Sequence, residues 1–524
     1  MGRYLGIDCS TQSISAVVIE TDGGEVLWRE SIDFGQGLSE YGAPRGFVQR
    51  GDVFFANPMM WLDGLDLLLE KLQKSLGCVG IVGVSGAGQQ HGSVYLNGSF
   101  DGALARLHLQ SQEKLSTQLA GCLSRAESPI WMDQSTARQC VEIRDALPEG
   151  YALRVSGSDV TERFTGPQIR KFYQMAPKQW EQTQRIHLVS SFLCSVLTGR
   201  SVAIDCGDGA GMNLMDLARS QWDQKLLDAT AKGLRQKLPS IAKSSSVCGR
   251  VGDYFVKRYG FDAGVDVVLF TGDNPSSLIG CGGGLAGTGV ISLGTSDTFF
   301  GSLGGLETGA KGELEDFEPS GYGHVFGNPA GGLMSLVCFS NGSLAREWVR
   351  DALGLDWAGF SRCLEMDWDA TGRDVVLPFL VDEITPRIKA EGLMIQGSQG
   401  FKALQCKSLV KCFVACQFLH MKKYVGQTCW DRLILTGGAS DNDAMCQMVA
   451  DIFEVYVKRL ASGDSVALGA CLRAAEAVGG FTWEALFEMF CRGSGDEFKP
   501  RLSEKNYLKN LNAGYQSLLN QVLG

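Results

Sequence analysis

Short apolar runs joined through glycine and hydroxyl residues open both halves of the chain. Residues 5–7 and 14–19 alternate or run apolar as strands do, with Asp8-Cys9-Ser10-Thr11-Gln12-Ser13 between them. Asp22-Gly23-Gly24 turns the chain, and residues 26–28 resume extended structure. Trp61, Leu62, Leu65, Leu68, Leu69 and Leu72 then recur at helical spacing over residues 60–72. Residues 79–84 form a short β-branched run, which predicts a buried strand ending in Ser85-Gly86-Ala87-Gly88. A helix over 190–197 stops at Gly199.

The second half repeats the plan. Residues 265–270 predict a buried strand ending at Thr271-Gly272-Asp273, and residues 289–293 lead into Gly294-Thr295-Ser296 and a further strand. Helices follow over 409–424, 443–453 and 465–475, with a strand at 433–435 running into Thr436-Gly437-Gly438. Strand–hairpin–helix–strand, used twice, implies two α/β domains with mixed sheets. We place the boundary at 250, giving domains 1–250 and 251–524, with a hinge near 245–260 after the serines at 244–246.

Length agrees, because 524 residues exceed what one core organises. Glycine is in excess, at 67 residues against about 7% in an average chain, and it lies in turn-like contexts. A net charge of −10 argues against a nucleic-acid partner. The 17 cysteines are scattered without paired ligand spacing. Cys412 and Cys416 read as small core residues of a helix rather than half a metal site. Reduced thiols, no membrane-length apolar run, no signal-peptide layout and no acylation signal at Met1-Gly2 point to a cytoplasmic protein away from membranes.

The chemistry gathers at strand ends. A hairpin loop of small hydroxyl residues directs backbone N–H groups into one concavity, which suits phosphate oxygens, and two such loops suggest a clamp on one polyphosphate. Asp8 beside the first loop would repel phosphate unless a divalent cation lay between them; the alternative is an Asx-turn that fixes the hairpin. Asp273 is placed either as a base taking a proton from an attacking hydroxyl or as the N-cap of a helix starting near Pro275. Gln89-Gln90-His91-Gly92 offers directional donors and acceptors of the kind polyol recognition needs.

Those residues, together with Gly272-Asp273-Asn274, Ser292-Leu293-Gly294-Thr295-Ser296 and Gly437-Gly438-Ala439-Ser440-Asp441-Asn442, resemble the FGGY carbohydrate kinases, relatives of the actin-like ATPases. Within the family the chain looks like the xylulose-phosphorylating branch, the eukaryotic type especially. Trp131-Met132-Asp133, Glu162-Arg163-Phe164-Thr165-Gly166, Gly207-Asp208-Gly209-Ala210-Gly211-Met212-Asn213-Leu214, Cys338-Phe339-Ser340-Asn341-Gly342-Ser343-Leu344 and Glu383-Ile384-Thr385-Pro386 carry that likeness. The resemblance implies two actin-like ATPase (ribonuclease H-like) α/β domains around a ligand cleft. It also implies ATP and Mg²⁺ as cofactors, a ketopentose as the other substrate, and a monomer or homodimer. By the same resemblance Asp273 is the base, and His91, Gln90, Arg163, Asp133 and Asn274 join it around the sugar. Ser10, Thr11, Gln12, Gly294, Thr295 and Ser296 meet phosphates; Gly437, Gly438, Asn442 and Trp357 meet the nucleoside; Asp8 serves the metal. Two positions depart from the family: Ser15 stands where Lys or Arg is common, and Gln417 where Glu is frequent. Other readings are a kinase of the family acting on ribulose, a deoxyketose or a polyol, and a sugar sensor that kept the fold.

Overall fold

The computed structural model describes residues 2–303, 321–368, 374–390, 392, 394–396, 408–425, 430–460, 463–493 and 496–523. Its first sheet begins as the antiparallel meander β1 (Arg3–Cys9), β2 (Ser13–Glu20) and β3 (Glu25–Asp33). Helix α1 (Pro58–Ser75) follows, capped by the Asn57 side chain on Met59 N at 2.9 Å, with Pro58 in the first turn where its missing N–H costs nothing. It buries Leu62, Leu65, Leu69 and Leu72 against the sheet and returns the chain for β4 (Ile81–Gly88), parallel to β1. The strand expected at 79–84 therefore starts later and runs further. Gly80 turns with φ +82° and Val79 is exposed, so the apolar run begins outside the sheet.

Strands β5 (Val247–Arg250), β6 (Asp266–Val268) and β7 (Thr271–Gly272) complete this sheet in the order β5-β6-β4-β1-β2-β3, with β7 also on β4. The domain boundary expected at 250 and the hinge expected at 245–260 thus fall within the first sheet. The change of sheet comes between Gly272 and Thr288, across α2 (Asp273–Gly280).

The second sheet contains β8 (Thr288–Leu293), β9 (Asp297–Ser302), β10 (His324–Gly327) and β11 (Leu333–Phe339). After α3 (Ser343–Ala352), α4 (Trp357–Glu365) and α5 (Ser408–Tyr424) it gains β12 (Arg432–Thr436). Then come α6 (Asp443–Phe453), β13 (Tyr456–Arg459), α7 (Ser465–Gly479) and β14 (Glu497–Phe498). The order is β10-β11-β9-β8-β12-β13-β14. The paths β3-β2-β1-β4-β6 and β11-β9-β8-β12-β13 have the same pairing senses, an antiparallel meander followed by two parallel strands. The chain uses one α/β plan twice.

Helix α7 ties the halves together by packing on the first sheet. A Cβ on Gly280 of α2 would lie 1.8 Å from Ser465 O, and one on Gly469 of α7 would lie 1.9 Å from Ser276 O. Only glycine permits this backbone approach. The buried Cys471 thiol meets Val17 O at 3.1 Å. Arg473 is buried and donates to Gly86 O and Ser244 O, both at 3.1 Å, and to Leu269 O. Its guanidinium thus satisfies carbonyls around the ends of β4 and β6. No described helix is long and apolar enough to cross a membrane.

Candidate active site

Three neighbouring strand ends in the first sheet carry the polar residues. Asp8 on β1 lies beside Ala87 on β4, and Ala87 pairs in turn with Thr271 on β7. The carboxyl ends of adjacent parallel strands are where α/β sheets present ligands. Gln89 N donates to Cys9 O at 2.9 Å and Thr11 Oγ1 donates to Gln89 Oε1 at 3.3 Å, which fastens the first hairpin to the end of β4. One residue on, Gln90 N donates to Asp273 Oδ1 at 3.4 Å, and Gln90 Oε1 accepts from Asn274 Nδ2 at 2.7 Å.

Asp273 stands in the first turn of α2 rather than at its cap, which is Gly272. Its Oδ1 accepts from Asn274 N at 2.8 Å and Asn274 Nδ2 at 3.0 Å. Burial pushes its carboxyl up to about 6, with backbone hydrogen bonds opposing the shift. A carboxylate so placed is ionised at neutral pH yet basic enough to accept a proton. The geometry removes the N-cap alternative for Asp273.

Asp8 is more strained electrostatically. Burial, with the nearby charges of Asp273 and Asp464, raises its carboxyl to about 7, while a hydrogen bond from Ser10 lowers it. Ser10 Oγ donates to Oδ2 at 2.7 Å, and Oδ1 is buried without a protein partner among the described residues. That contact comes from a side chain, so Asp8 does not make the backbone bond of an Asx-turn. Across the β1–β2 ladder it faces Ser15. The residue that replaces a common Lys or Arg is therefore the one opposite this carboxylate, and among the described residues the charges acting on Asp8 are those of Asp273 and Asp464, with no cation. An orphaned, buried oxygen is what a hard divalent cation needs from protein when phosphates and water supply its other ligands. The donor fits Mg²⁺. No set of three metal-ligating side chains occurs among the described residues.

His91 adopts φ +67° directly after the two glutamines, and its Nδ1 lies 2.7 Å from Gly211 O. A carbonyl only accepts, so Nδ1 carries the proton. Burial lowers the ring to about 3, keeping it neutral and leaving Nε2 as an acceptor. Phe164 packs edge-on at 4.7 Å and in turn meets His324 of β10 at 4.9 Å, with Phe326 at 6.3 Å from His91. This aromatic corner joins both halves, and the sequence gives no sign of the parts that Phe164, His324 and Phe326 play in it. The alternation Tyr322-Gly323-His324-Val325-Phe326 marks a strand but does not say which residues its face will meet. Arg163 sits close enough to lower both histidines electrostatically and forms no ion pair among the described residues. Asp133 differs. Its Oδ2 accepts from Phe54 N at 3.1 Å, and its Oδ1 accepts from Ser135 N at 2.9 Å and Gln168 Nε2 at 2.8 Å.

The second hairpin opens on a cavity of about 560 Å³ whose wall includes Gly294, Thr295, Trp357, Gly438 and Asn442. Asn442 caps α6 through Met445 N at 3.1 Å and donates to Ser361 Oγ at 2.6 Å. Gly437 has φ +90° and a Cβ there would stand 2.5 Å from Leu293 O, so the turn tolerates no side chain. Ser296 is exposed at the loop tip, as Gln12 is in the first hairpin, with Ser10 and Thr11 partly buried beneath. Trp357 is 44% exposed and Arg350 lies 4.4 Å over its ring. Trp348 of α3 is equally exposed but lies outside this cavity wall.

Two sheets of one topology, each with a hydroxyl-rich hairpin at the carboxyl end of a strand with a parallel neighbour, define the actin-like ATPase fold class. The chain belongs to the FGGY family of carbohydrate kinases. The family's N-terminal domain model matches residues 125–280 and its C-terminal domain model residues 289–478. A rat protein named xylulose kinase is 36% identical over 505 residues, covering 93% of this chain and 90% of its own. An Arabidopsis thaliana protein named xylulose kinase 2 is 36% identical over 496 residues, with coverage of 90% and 86%. Among solved structures, a ligand-bound xylulose kinase from Lactobacillus acidophilus superposes with a TM-score of 0.80 at 18% identity, covering 100% and 99%. A Plasmodium falciparum glycerol kinase with ADP gives 0.79 at 16% identity, covering 100% and 99%. These structural likenesses speak to the fold.

Proposed function

We propose that this chain is an ATP-dependent ketopentose kinase that converts D-xylulose to D-xylulose 5-phosphate. The observation that carries the reading is the Gln90–Asn274–Asp273 cluster. It places a partly buried carboxylate of raised basicity among amide groups, beside Gln89, which is bonded to the hairpin that would hold phosphate. In this reading Asp273 takes the proton of the C5 hydroxyl as its oxygen attacks the γ-phosphorus. The bond from that phosphorus to the bridging oxygen breaks, and ADP leaves with the electron pair. His91 Nε2, the Gln90 amide, Arg163 and Asn274 orient the sugar hydroxyls, while Asp133 holds the rim through Phe54 and Gln168. Ser10, Thr11 and Gln12 face the phosphates from one side and Gly294, Thr295 and Ser296 from the other. The adenosine lies in the 560 Å³ cavity with Trp357, Gly438 and Asn442, backed by Gly437. Asp8 would hold Mg²⁺, which when bound neutralises phosphate charge. Positioning and charge compensation then account for most of the catalysis.

The named relatives at 36% identity favour xylulose as the acceptor. The fold does not choose, because glycerol and gluconate kinases superpose as well. We take the enzyme to work on small metabolites in the cytoplasm, as a monomer or homodimer. Coupled ADP release across xylulose, ribulose, deoxyxylulose, gluconate and glycerol tests the assignment. Fastest turnover on xylulose, with phosphorus NMR placing the ester at C5, is the expected result. Preferential turnover of another acceptor would replace the substrate, and binding without turnover would leave a sensor.

A further inference from the structure

The motifs Cys338–Leu344 and Glu383–Pro386 and the departure at Gln417 have no part in the mechanism above, yet they converge on one buried cluster behind the second hairpin. Arg346 of α3 is fully buried and grips Asp297, the residue that ends the hairpin loop, through Nη1 to Oδ2 at 2.9 Å and Nη2 to Oδ1 at 2.7 Å. The same guanidinium donates to Ser343 Oγ at 3.1 Å and Gln417 Oε1 at 3.3 Å. Gln417 Nε2, on α5, then donates to Asn341 O at 2.7 Å. Asn341 continues to Glu383, with Nδ2 to Oε2 at 3.0 Å, and Ser340 N donates to Oε1 at 2.8 Å. Asp297, Asn341, Glu383 and Gln417 are all buried.

We propose that this Asp297–Arg346–Gln417–Asn341–Glu383 relay is a positioning device that aims the second hairpin at the nucleotide phosphates. The inference rests on the reading of Gly294–Ser296 as a nucleotide loop. Both ends of the loop are held: Ser343 N donates to Gly294 O at 3.0 Å, while Arg346 clamps Asp297. A Cβ on Gly342 would stand 2.6 Å from Asp297 N, so the loop lies directly on the turn that Gln417 supports. Gly294, Thr295 and Ser343 face the 560 Å³ cavity, so a tilt of the loop changes the wall that ATP meets.

Stability alone does not require this arrangement. A desolvated ion pair is commonly matched or exceeded in stability by apolar residues of similar size, whereas a bidentate guanidinium–carboxylate pair fixes orientation. Gln417 is suited to its place because it presents an acceptor to Arg346 and a donor to the Asn341 carbonyl. An ionised carboxylate would lose the second contact and add a second anion to one guanidinium.

The test compares wild type, Arg346→Lys, Gln417→Leu and the apolar double variant Arg346→Met with Asp297→Leu. Each is measured for melting temperature, MgADP affinity by calorimetry, xylulose affinity, and kcat and KM for ATP. Arg346→Lys keeps the charge but loses the fork, and should fall by about 10- to 100-fold in kcat/KM for ATP with xylulose affinity unchanged. Gln417→Leu should show the same pattern more weakly. The double variant should melt near wild type and still fail with ATP. Wild-type ATP kinetics in folded Arg346→Lys, or recovery of ATP kinetics together with stability in the double variant, overturns the proposal. If Arg346→Lys does not fold, the other two variants decide by the same criterion. Should wild type bind no MgADP, the reading of the nucleotide loop fails first and is identified as the failure.

Discussion

The two hairpins occupy equivalent places in equivalent sheets, and burial raises the carboxyl of Asp8 and of Asp297 alike, yet only Asp297 has a counter-ion among the described residues. In the second, Asp297 is held by a buried bidentate arginine. In the first, Asp8 faces Ser15 across the ladder and leaves Oδ1 with no partner among the described residues. Burial raises Asp8 to about 7, so ionisation there is costly until a cation arrives. One plan thus yields a finished wall and an unfinished one. The unfinished wall is where ligand charge belongs, and Asp273 and Gln90 stand beside it.

If that contrast is functional, changes near the first hairpin should dominate turnover. Asp273→Asn should lower kcat by about 10²–10⁴ with little change in xylulose affinity. A near wild-type kcat would remove Asp273 as the base. The pH profile adds a second check on the same residue. The base must be ionised, so kcat/KM should fall as pH drops through about 6, the value to which burial raises Asp273. An acid limb near the ordinary carboxylate range would place the proton elsewhere.

Asp8→Asn should reduce kcat by about 10- to 100-fold and raise the Mg²⁺ concentration needed for half-maximal rate. It should also stabilise the ligand-free protein. A carboxyl whose folded value lies above its unfolded one binds more protons when folded. Asp8 therefore subtracts stability progressively as pH rises from about 4 to about 7 and subtracts it fully above that window. The Asn variant should melt above wild type at pH 8, and the gap should close toward pH 4. An Asn variant that melts lower at pH 8 would mean that Asp8 is compensated in the folded protein, and the contrast between hairpins would collapse.

Smaller effects are expected where recognition rather than charge is at issue. His91→Ala and Arg163→Ala should each weaken xylulose binding by roughly 1–3 kcal/mol, read by calorimetry, with MgADP affinity retained. Unchanged sugar affinity in both would move the sugar away from the aromatic corner.

What the sequence made legible follows the range of the forces involved. Helix α1 and the β1–β2 hairpin are written in local periodicity, and Gly272-Asp273-Asn274 is contiguous, so its three residues could only fall together. The turns at Gly294-Thr295 and Gly437-Gly438 were legible for the same reason, since apolar strands run into them, whereas Asn442 was singled out only through the family resemblance. The sheet membership of β5 and β6 was not, because the partner of β6 is β4, far back in the chain. His324 was hidden likewise: its place beside Phe164 depends on how the two sheets meet. The Ser15 departure was visible as a letter, but only the strand register showed that it faces Asp8. Gln417 was legible as a substitution and silent as to role until Arg346 was found beside it.

The smallest expected effect bears most directly on why the two hairpins differ. Residues directly opposite on antiparallel strands hold their Cβ atoms about 4.5–5.5 Å apart on one face of the sheet. Lysine at position 15 therefore brings an ammonium within reach of the Asp8 carboxylate and gives the first hairpin what Arg346 gives the second. Ser15→Lys should lower the Asp8 pKa, since an adjacent opposite charge favours ionisation. The ligand-free protein should then lose less stability between pH 4 and pH 8 than wild type does. Turnover should shift modestly, through a lower Mg²⁺ requirement and a shallower dependence on Mg²⁺ rather than through sugar affinity. Double-mutant comparison with Asp8→Asn separates the pair from either residue alone: in the Asp8→Asn background, the lysine should no longer flatten the pH dependence of melting. If Ser15→Lys leaves both the melting profile and the Mg²⁺ dependence as they were, the charge at Asp8 is already met in the native protein. The first hairpin would then be as complete as the second.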